Sequence, residues 1–303
     1  MKIIFMGTPE FAVPSLKALT ESAEVLCVVT QPDKPKGRGH KLQPPPVKIF
    51  AEEKKIPVLQ PKNLRTEEIF NQLAEFNADF IVVVAYGKIL PQKILDLPKI
   101  ACVNVHGSLL PKYRGAAPIE WAIINGEKFT GITTMKMDAG LDTGDMLLTS
   151  TVEISEEMTS PELKEILSVE GAKLLIETLK NFSAIKPVKQ DDSLSNYAPM
   201  LTKETGRIDW KKSAREIHNL ARGLYGNAFT TLAGKNFKIL RTKILSTNLN
   251  LAAGEIKIDG KKFFAGTGDG TLEVIELQAP NSKKMDAASY LAGHKVEEKF
   301  FGD

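Results

Sequence analysis

The sequence has few cysteines and no long apolar run, and these shortages exclude several classes of protein. Two cysteines, Cys27 and Cys102, occur in 303 residues, too few for the disulfide framework of a small secreted domain. No apolar stretch approaches the roughly 18 residues that indicate a membrane-spanning helix. The opening apolar run stops at Gly7 without a cleavage-site pattern, so we expect no signal peptide. These absences predict a cytoplasmic protein that does not bind membranes.

A strong net charge is also missing, although the charges are unevenly distributed. Lys and Arg number 40 and Asp and Glu 37, which leaves a formal charge of +3. Residues 206–303 hold 16 basic and 11 acidic side chains, a local charge of +5, whereas the preceding residues hold 24 and 26. Such asymmetry is typical of a protein whose basic part binds a polyanion, but lysines that only keep a domain in solution produce the same pattern. The charge by itself leaves both interpretations open.

Strand-like apolar runs alternate with helical segments through the first half of the chain, for example EVLCVVT at 24–30 and DFIVVVAYG at 79–87. Near-continuous apolar runs between helices predict a parallel, doubly wound sheet that is covered on both faces. Short strands separated by glycine turns follow later and predict a small β-barrel. We therefore predict an α/β protein with a Rossmann-like domain over 1–188, a linker over 189–206 and an OB-like barrel over 207–303.

One of the four histidines follows a strand at the end where parallel sheets place their ligands. His106 comes directly after ACVNV and before Gly107, at the carboxyl end of a predicted parallel strand. Asn104 lies two residues earlier, so its side chain points to the same face. In contrast, His218 lies beside the apolar stripe of its helix, and we expect it at the surface or at a boundary.

A loop with three carboxylates, Asp138, Asp142 and Asp145, follows further along the chain in MDAGLDTGDML. A carboxylate from this loop could orient His106 or accept a proton, whereas the alternative is that the aspartates only shape turns. The patterns of dinucleotide sites, P-loops, serine nucleophile elbows and zinc sites are absent. An amide, an imidazole and a carboxylate suit a transfer in which the substrate supplies the nucleophile and the protein stabilises an oxyanion.

Longer motifs make the chain similar to the folate-dependent formyltransferases. They are NVHGSLLPKYRGAAPIEWAI with LDTGD beyond it, MGTPEFA, QPDKPKGRGHKLQPPPVK and VVAYGKILP, and the resemblance covers essentially the whole chain. It implies a Rossmann-like formyltransferase domain joined to an OB-like domain. It also implies transfer of a formyl group from 10-formyltetrahydrofolate to the α-amine of methionyl initiator tRNA, with no metal.

The resemblance assigns site residues one by one. It implies that Asn104, His106 and Asp142 are catalytic. The segment 84–90 would by itself indicate core packing, but the resemblance implies that it walls the folate. The folate-binding residues implied in this way are Ser108, Leu109, Leu110, Pro111, Val84, Tyr86, Gly87, Ile89 and Leu90.

Basic side chains gather among prolines and glycines at 31–46, at Lys34, Lys36, Arg38, His40 and Lys41. Without the resemblance, a solvated loop would explain them. The resemblance implies that this loop enters the acceptor end of the tRNA and distinguishes the initiator, with Arg38 at the position most directly implicated. Phosphate contacts of this kind make binding strongly dependent on salt. The candidates in the C-terminal domain are Lys211, Lys212, Arg215 and Arg222.

Three other functions share parts of this pattern. A formyltransferase for a small amine would keep the three catalytic residues but lack the basic loop and the basic barrel. A hydrolase of 10-formyltetrahydrofolate would use water as the acceptor. An RNA-binding protein on an inactive scaffold is disfavoured by the intact catalytic residues. Because no apolar surface helix is evident, we expect a monomer.

Overall fold

The structure of the chain, a computed structural model, describes residues 1–36 and 41–302, without the side chains of Lys36 and Lys41. Two compact units are present. The first comprises Met1–Pro118, Phe129–Glu153 and Lys164–Ala198, and the second comprises Ile119–Lys128, Ile154–Leu163 and Pro199–Asp303. The greater part of the predicted linker, up to residue 198, therefore belongs to the first unit, and two short stretches of the predicted first domain belong to the second.

The first unit is built on a mixed sheet with a parallel centre. The strands are β1 (Lys2–Gly7), β2 (Glu24–Val29), β3 (Lys34–Lys36), β4 (Lys41–Gln43), β5 (Val58–Leu59), β6 (Phe80–Val84), β7 (Ala101–His106), β8 (Arg114–Gly115), β9 (Phe129–Lys136), β10 (Met146–Glu153) and β11 (Tyr197–Ala198). The main sheet has the order β10-β9-β7-β6-β1-β2-β5 among the described residues. From β7 to β5 the neighbours are parallel, whereas β9 runs antiparallel to both β7 and β10. Two small sheets pair β3 with β4 antiparallel and β8 with β11 parallel.

Eight α-helices lie within the described residues of the two units. They are α1 (Val13–Ser22), α2 (Pro46–Glu53), α3 (Glu67–Glu75), α4 (Gln92–Leu95), α5 (Pro118–Ile124), α6 (Ser160–Lys180), α7 (Ala214–Gly223) and α8 (Ala287–Gly293). No helix within the described ranges combines the length and the apolar character that crossing a membrane requires.

The core of the first unit is formed by buried apolar strands and the helices packed on them. Every residue of β6 is buried, as the near-continuous apolar run predicts for a strand covered on both faces. One core cluster joins β6 to neighbouring elements through side chains such as Ile4, Leu73 and Ile94. Fully burying a side chain of this size stabilises a fold by about 1.5–3 kcal/mol. The predicted Rossmann-like class is confirmed.

The second unit contains a curled antiparallel sheet. Its strands are β12 (Phe229–Leu232), β13 (Lys235–Ile244), β14 (Ile256–Asp259), β15 (Lys262–Gly266), β16 (Thr271–Gln278) and β17 (Met285–Asp286). They follow the order β12-β13-β16-β15-β14, and β17 pairs with β16. Stacked aromatic rings form part of the core of the second unit. The ring centroid of Phe301 lies 4.9 Å from that of Trp210 and 5.5 Å from that of Phe263. The expected small barrel-type domain is confirmed.

Helix α7 corrects the expectation for His218. A capping box of Ser213 and Glu216 begins the helix, and His218 is only 2% exposed. Its Nε2 donates to the carbonyl oxygen of Glu156 at 3.0 Å, and its Nδ1 lies 2.9 Å from Thr242 Oγ1. The expected surface or boundary position is wrong, because partners at both ring nitrogens permit burial that the apolar stripe alone did not indicate.

Candidate active site

The carboxyl end of β7 carries two polar side chains on one face of the main sheet. Asn104 pairs with Met135 of β9, and His106 pairs with Thr133. Both side chains are nearly enclosed, with Asn104 8% and His106 6% exposed. Because β7 is an interior strand, the main-chain geometry at this point is held from both sides. The structure therefore places the predicted amide and imidazole together.

Hydrogen bonding determines which ring nitrogen of His106 carries the proton in the neutral form. Its Nε2 lies 2.9 Å from the carbonyl oxygen of Tyr113. A carbonyl only accepts, so Nε2 donates, and Nδ1 of the neutral ring holds a lone pair. Nδ1 lies 3.7 Å from Asp142 Oδ2. This distance is longer than a hydrogen bond, but it lets the carboxylate stabilise a proton taken up at Nδ1.

The loop from 138 to 145 presents Asp142 in an unusual backbone conformation. Asp142 has φ +54°, in the left-handed region that side chains other than glycine rarely adopt. Its Oδ2 accepts a hydrogen bond from the backbone N–H of Gly115 at 2.9 Å. Asp138 instead accepts hydrogen bonds from Gly140 N and Thr143 Oγ1, so it shapes the turn. The turn-shaping interpretation therefore applies to Asp138, and Asp142 is the carboxylate that lies near His106.

The segment 108–111 forms a tightly bonded turn directly after His106. Ser108 is fully buried, and its hydroxyl donates to the carbonyl oxygen of Lys112 at 2.6 Å. Thr133 Oγ1 donates to the carbonyl oxygen of Ser108 at 2.7 Å and accepts from Leu110 N at 3.0 Å. The bond from Leu110 to Pro111 is cis. These contacts fix the predicted folate-binding turn beside β7.

The second predicted folate-binding segment, residues 84–90, lies mostly in the core of the first unit. Val84, Tyr86 and Leu90 are at most 3% exposed, and the last two belong to the core cluster of the first unit. Burial raises the pKa of the Tyr86 phenol to about 12. Ile89, in contrast, is 70% exposed. Core packing therefore accounts for the Tyr86 and Leu90 side chains, and Gly87, with open space around it, leaves backbone accessible.

The predicted basic loop is described in part. Lys34 is exposed at the start of β3. Lys36 ends β3 and Lys41 begins β4. Arg38 and His40 lie outside the described residues.

The basic candidates of the second unit separate into exposed and buried groups. Lys211 and Lys212 are exposed, and Arg215 is exposed in an ion pair with Glu156. Arg222 is only 6% exposed. Its guanidinium donates to the carbonyl oxygens of Ser155 and Met158, each at 3.1 Å, and to Asn219 Oδ1 at 2.9 Å.

Burial also lowers the pKa of Arg222. The prediction that Arg222 contacts tRNA is therefore withdrawn, because its donors are engaged inside the unit. The sequence around Arg222 on α7 gave no sign of the carbonyl oxygens of Ser155 and Met158 that accept its hydrogen bonds.

Two residues that contact the site were not foreseen from the sequence. Gln190 donates from Nε2 to the carbonyl oxygens of Asp142 and Gly144 at 2.8 and 2.7 Å. Asn196 Oδ1 accepts from the backbone N–H of Tyr113, whose carbonyl oxygen accepts from His106. Both residues lie in the predicted linker, where polar side chains without periodicity indicated only a connection between domains.

Comparison with known proteins identifies the family. The family model for formyl transferase matches residues 1–179, and the model for the formyl transferase C-terminal domain matches residues 200–295. The chain belongs to the formyl transferase family. It is 52% identical to the methionyl-tRNA formyltransferase of Acetivibrio thermocellus over 98% of each chain. It is 50% identical to the enzyme of the same name from Geobacter metallireducens, over 98% of this chain and 97% of the relative.

Solved structures share the fold. The N-formyltransferase from Helicobacter canadensis, in complex with folinic acid and dTDP-3-aminofucose, matches with a TM-score of 0.68 at 19% identity, over 94% of this chain and all of that chain. HypX from Aquifex aeolicus, in complex with tetrahydrofolic acid, matches with a TM-score of 0.63 at 17% identity, over 96% of this chain and 47% of that chain.

Proposed function

We propose that this chain transfers the formyl group of 10-formyltetrahydrofolate to the α-amine of methionyl initiator tRNA, which produces N-formylmethionyl-tRNA. The observation that carries the proposal is the approach of His106 Nδ1 to Asp142 Oδ2 at 3.7 Å, beside Asn104 on the same strand face. Family membership and the two relatives named methionyl-tRNA formyltransferase support the same activity.

The reaction exchanges one bond for another at the formyl carbon. The α-nitrogen forms a bond to that carbon, and the carbonyl electron pair moves onto oxygen. Asn104 donates a hydrogen bond to this oxyanion. When the intermediate collapses, the bond from carbon to N10 of the folate breaks. The α-nitrogen has lost one proton, and N10 has gained one.

His106 carries that proton between the two nitrogens. Because Nε2 already donates to Tyr113, Nδ1 is the atom that accepts the proton from the α-nitrogen. The carboxylate of Asp142 stabilises the resulting imidazolium, and Nδ1 then returns the proton to N10. Gly115 N–H holds the carboxylate in place.

The tRNA would be held by phosphate contacts from exposed basic side chains. Of the described side chains these are Lys34 in the first unit and Lys211, Lys212 and Arg215 in the second. The other proposed contacts are Lys36, Arg38, His40 and Lys41 of the predicted basic segment. We further propose that the enzyme acts as a monomer in the cytoplasm. The presence of all three proposed catalytic residues in one copy of the chain agrees with a monomer. Sedimentation at assay concentration tests the oligomeric state.

The test is formylation of methionyl initiator tRNA with labelled 10-formyltetrahydrofolate. We expect His106→Ala and Asp142→Ala to lose most of kcat while both KM values change little. His294→Ala and the exposed Asp96→Ala serve as controls and should retain turnover. Wild-type turnover by either active-site variant would overturn the catalytic assignment. Release of formate without tRNA would favour the hydrolase, and tRNA binding without transfer would favour the inactive scaffold.

A further inference from the structure

We propose that Gln190 is a positioning residue of the formyl-transfer site, which acts by holding the turn that presents Asp142 to His106. The inference rests on the proposed function, because it requires Asp142 to take part in the reaction. Gln190 is 6% exposed, so its amide must find partners inside the unit. Those partners are all parts of the structure that fixes Asp142.

The amide nitrogen of Gln190 bonds the turn itself. Nε2 donates to the carbonyl oxygen of Asp142 at 2.8 Å and to that of Gly144 at 2.7 Å, which uses both of its protons. The Asp142 backbone is in the left-handed region at φ +54°, where a non-glycine residue persists only if its surroundings hold it. The two hydrogen bonds from Gln190 supply such restraint on either side of Thr143.

The amide oxygen of Gln190 bonds the strand that faces the turn. Oε1 accepts from Arg114 Nε at 3.0 Å and from Arg114 Nη2 at 2.8 Å. Arg114 precedes Gly115, whose backbone N–H donates to Asp142 Oδ2. A single buried amide therefore links the main chain of Asp142 to the strand that binds its carboxylate.

The turn is also packed tightly against β9. A Cβ placed on Gly144 would lie 1.9 Å from the carbonyl oxygen of Lys136, so the backbone approaches β9 as closely as glycine permits. Without the two hydrogen bonds from Gln190, the main chain at Asp142 and Gly144 would lose a restraint and could shift. The separation of Asp142 Oδ2 from His106 Nδ1 would then change, and a displacement of about 1 Å at a reacting group can cost about 100-fold in rate.

The hydrogen bonds of the Gln190 side chain require an amide, because they use both a donor and an acceptor. A carboxylate of the same shape has an acceptor for Arg114 but no proton for the two carbonyl oxygens. Gln190→Glu therefore removes the donors without creating a cavity, and Gln190→Met removes donors and acceptor together. Among the described residues, the hydrogen bonds of Gln190 go to Asp142, Gly144 and Arg114 and to none of the residues assigned to folate or tRNA. Its loss should therefore lower kcat and leave KM nearly unchanged.

The experiment measures single-turnover and steady-state formylation of methionyl initiator tRNA. We expect Gln190→Glu and Gln190→Met to lower kcat by about 10- to 100-fold, with both KM values within about threefold of wild type. Ser195→Ala, which removes a partly exposed hydroxyl that donates to the carbonyl oxygen of Asp192 at 2.7 Å, is the control from the same segment and should keep wild-type kcat. Wild-type kcat in both Gln190 variants would overturn the proposal.

A double-mutant cycle with Asp142→Ala separates positioning from general destabilisation. If Gln190 acts through Asp142, Gln190→Glu lowers turnover strongly in the wild-type background and hardly at all in Asp142→Ala. An equal loss in both backgrounds would overturn the proposal, because a merely structural defect acts in both. If Asp142→Ala itself keeps wild-type turnover, the catalytic assignment fails instead, so the two failures are distinguishable.

Discussion

Lys211 and Arg222 belong to one basic segment of the sequence but have different surroundings at the scale of the single residue. Lys211 is exposed, and its ammonium can reach a phosphate. Arg222 is enclosed, and its guanidinium satisfies the carbonyl oxygens of Ser155 and Met158. A buried acceptor that loses its donor costs free energy because water cannot replace the donor. A basic side chain thus stabilises the unit at position 222, whereas at position 211 it is free to take the proposed role in tRNA binding.

Substitution of Arg222 tests this distinction. We expect Arg222→Met to lower the free energy of unfolding by about 1–3 kcal/mol, since buried acceptors lose their donor, and to leave tRNA affinity unchanged. Lys211→Gln should weaken tRNA binding without a change in stability. Denaturant unfolding and filter binding at fixed salt measure the two effects. Weaker tRNA binding by a fully stable Arg222→Met protein would contradict this interpretation.

At the scale of the element, the start of α6 is held by a carboxylate. Glu162 Oε2 accepts from the Thr159 backbone N–H at 2.7 Å and from its hydroxyl at 2.6 Å. Arg241 Nη2 lies 2.7 Å from Glu162 Oε1. The hydrogen bond from the Thr159 side chain contributes most, and together these contacts lower the pKa of Glu162 to about 2. An N-terminal carboxylate is also favoured by the helix dipole.

The low pKa of Glu162 predicts how stability depends on pH. A carboxylate whose folded pKa lies below the unfolded value of about 4.3 stabilises the fold above that pH, and the contribution disappears as the pH falls toward 2. Glu162→Gln should therefore be less stable than wild type at pH 7, and the two proteins should converge in acid. Urea unfolding at several pH values checks this, with Glu165→Gln as the control for net charge. A difference that grows in acid would contradict the prediction.

The basic segment 34–41 is the second part of the chain with a testable role. If its cations contact phosphates, Lys34→Gln and Arg38→Gln should each reduce the slope of log Kd against log salt by about one, and weaken binding of initiator tRNA. Filter binding between about 50 and about 200 mM salt gives the slope. Lys17→Gln, an exposed substitution on α1, is the control. Slopes equal to wild type in both variants would exclude phosphate contacts from this segment.

At the scale of the whole molecule, the two cysteines report on the integrity of the first unit. Cys27 and Cys102 are at most 3% exposed, and burial raises the pKa of each thiol to about 12. The reactive thiolate is therefore scarce at pH 8 as well as inaccessible. We expect iodoacetamide to label neither cysteine in the native protein and both in denaturant, as read by intact mass. Rapid labelling under native conditions would contradict the burial of these strands.

Much of this architecture could be predicted from local pattern. Near-continuous apolar runs predicted the buried strands, and the two-residue spacing of Asn104 and His106 placed both on one face of β7. Pattern failed where burial depends on distant groups. His218 and Arg222 were expected near the surface, but carbonyl oxygens of residues 155–158 accept their protons. Such partners leave no periodic signal near the residues they enclose.

The sequence by itself determined the α/β class, the strand that carries Asn104 and His106, and the motifs of the formyl transferase family. These follow from side-chain periods and short spacings, which backbone geometry converts directly into faces and ends of strands. The family motifs singled out Asp142, but only the tertiary structure decided how its carboxylate lies relative to His106 and Gly115, and that Gln190 bonds the turn which carries it. Those contacts join residues far apart in the chain, so they exist only after the sheet and its loops have assembled.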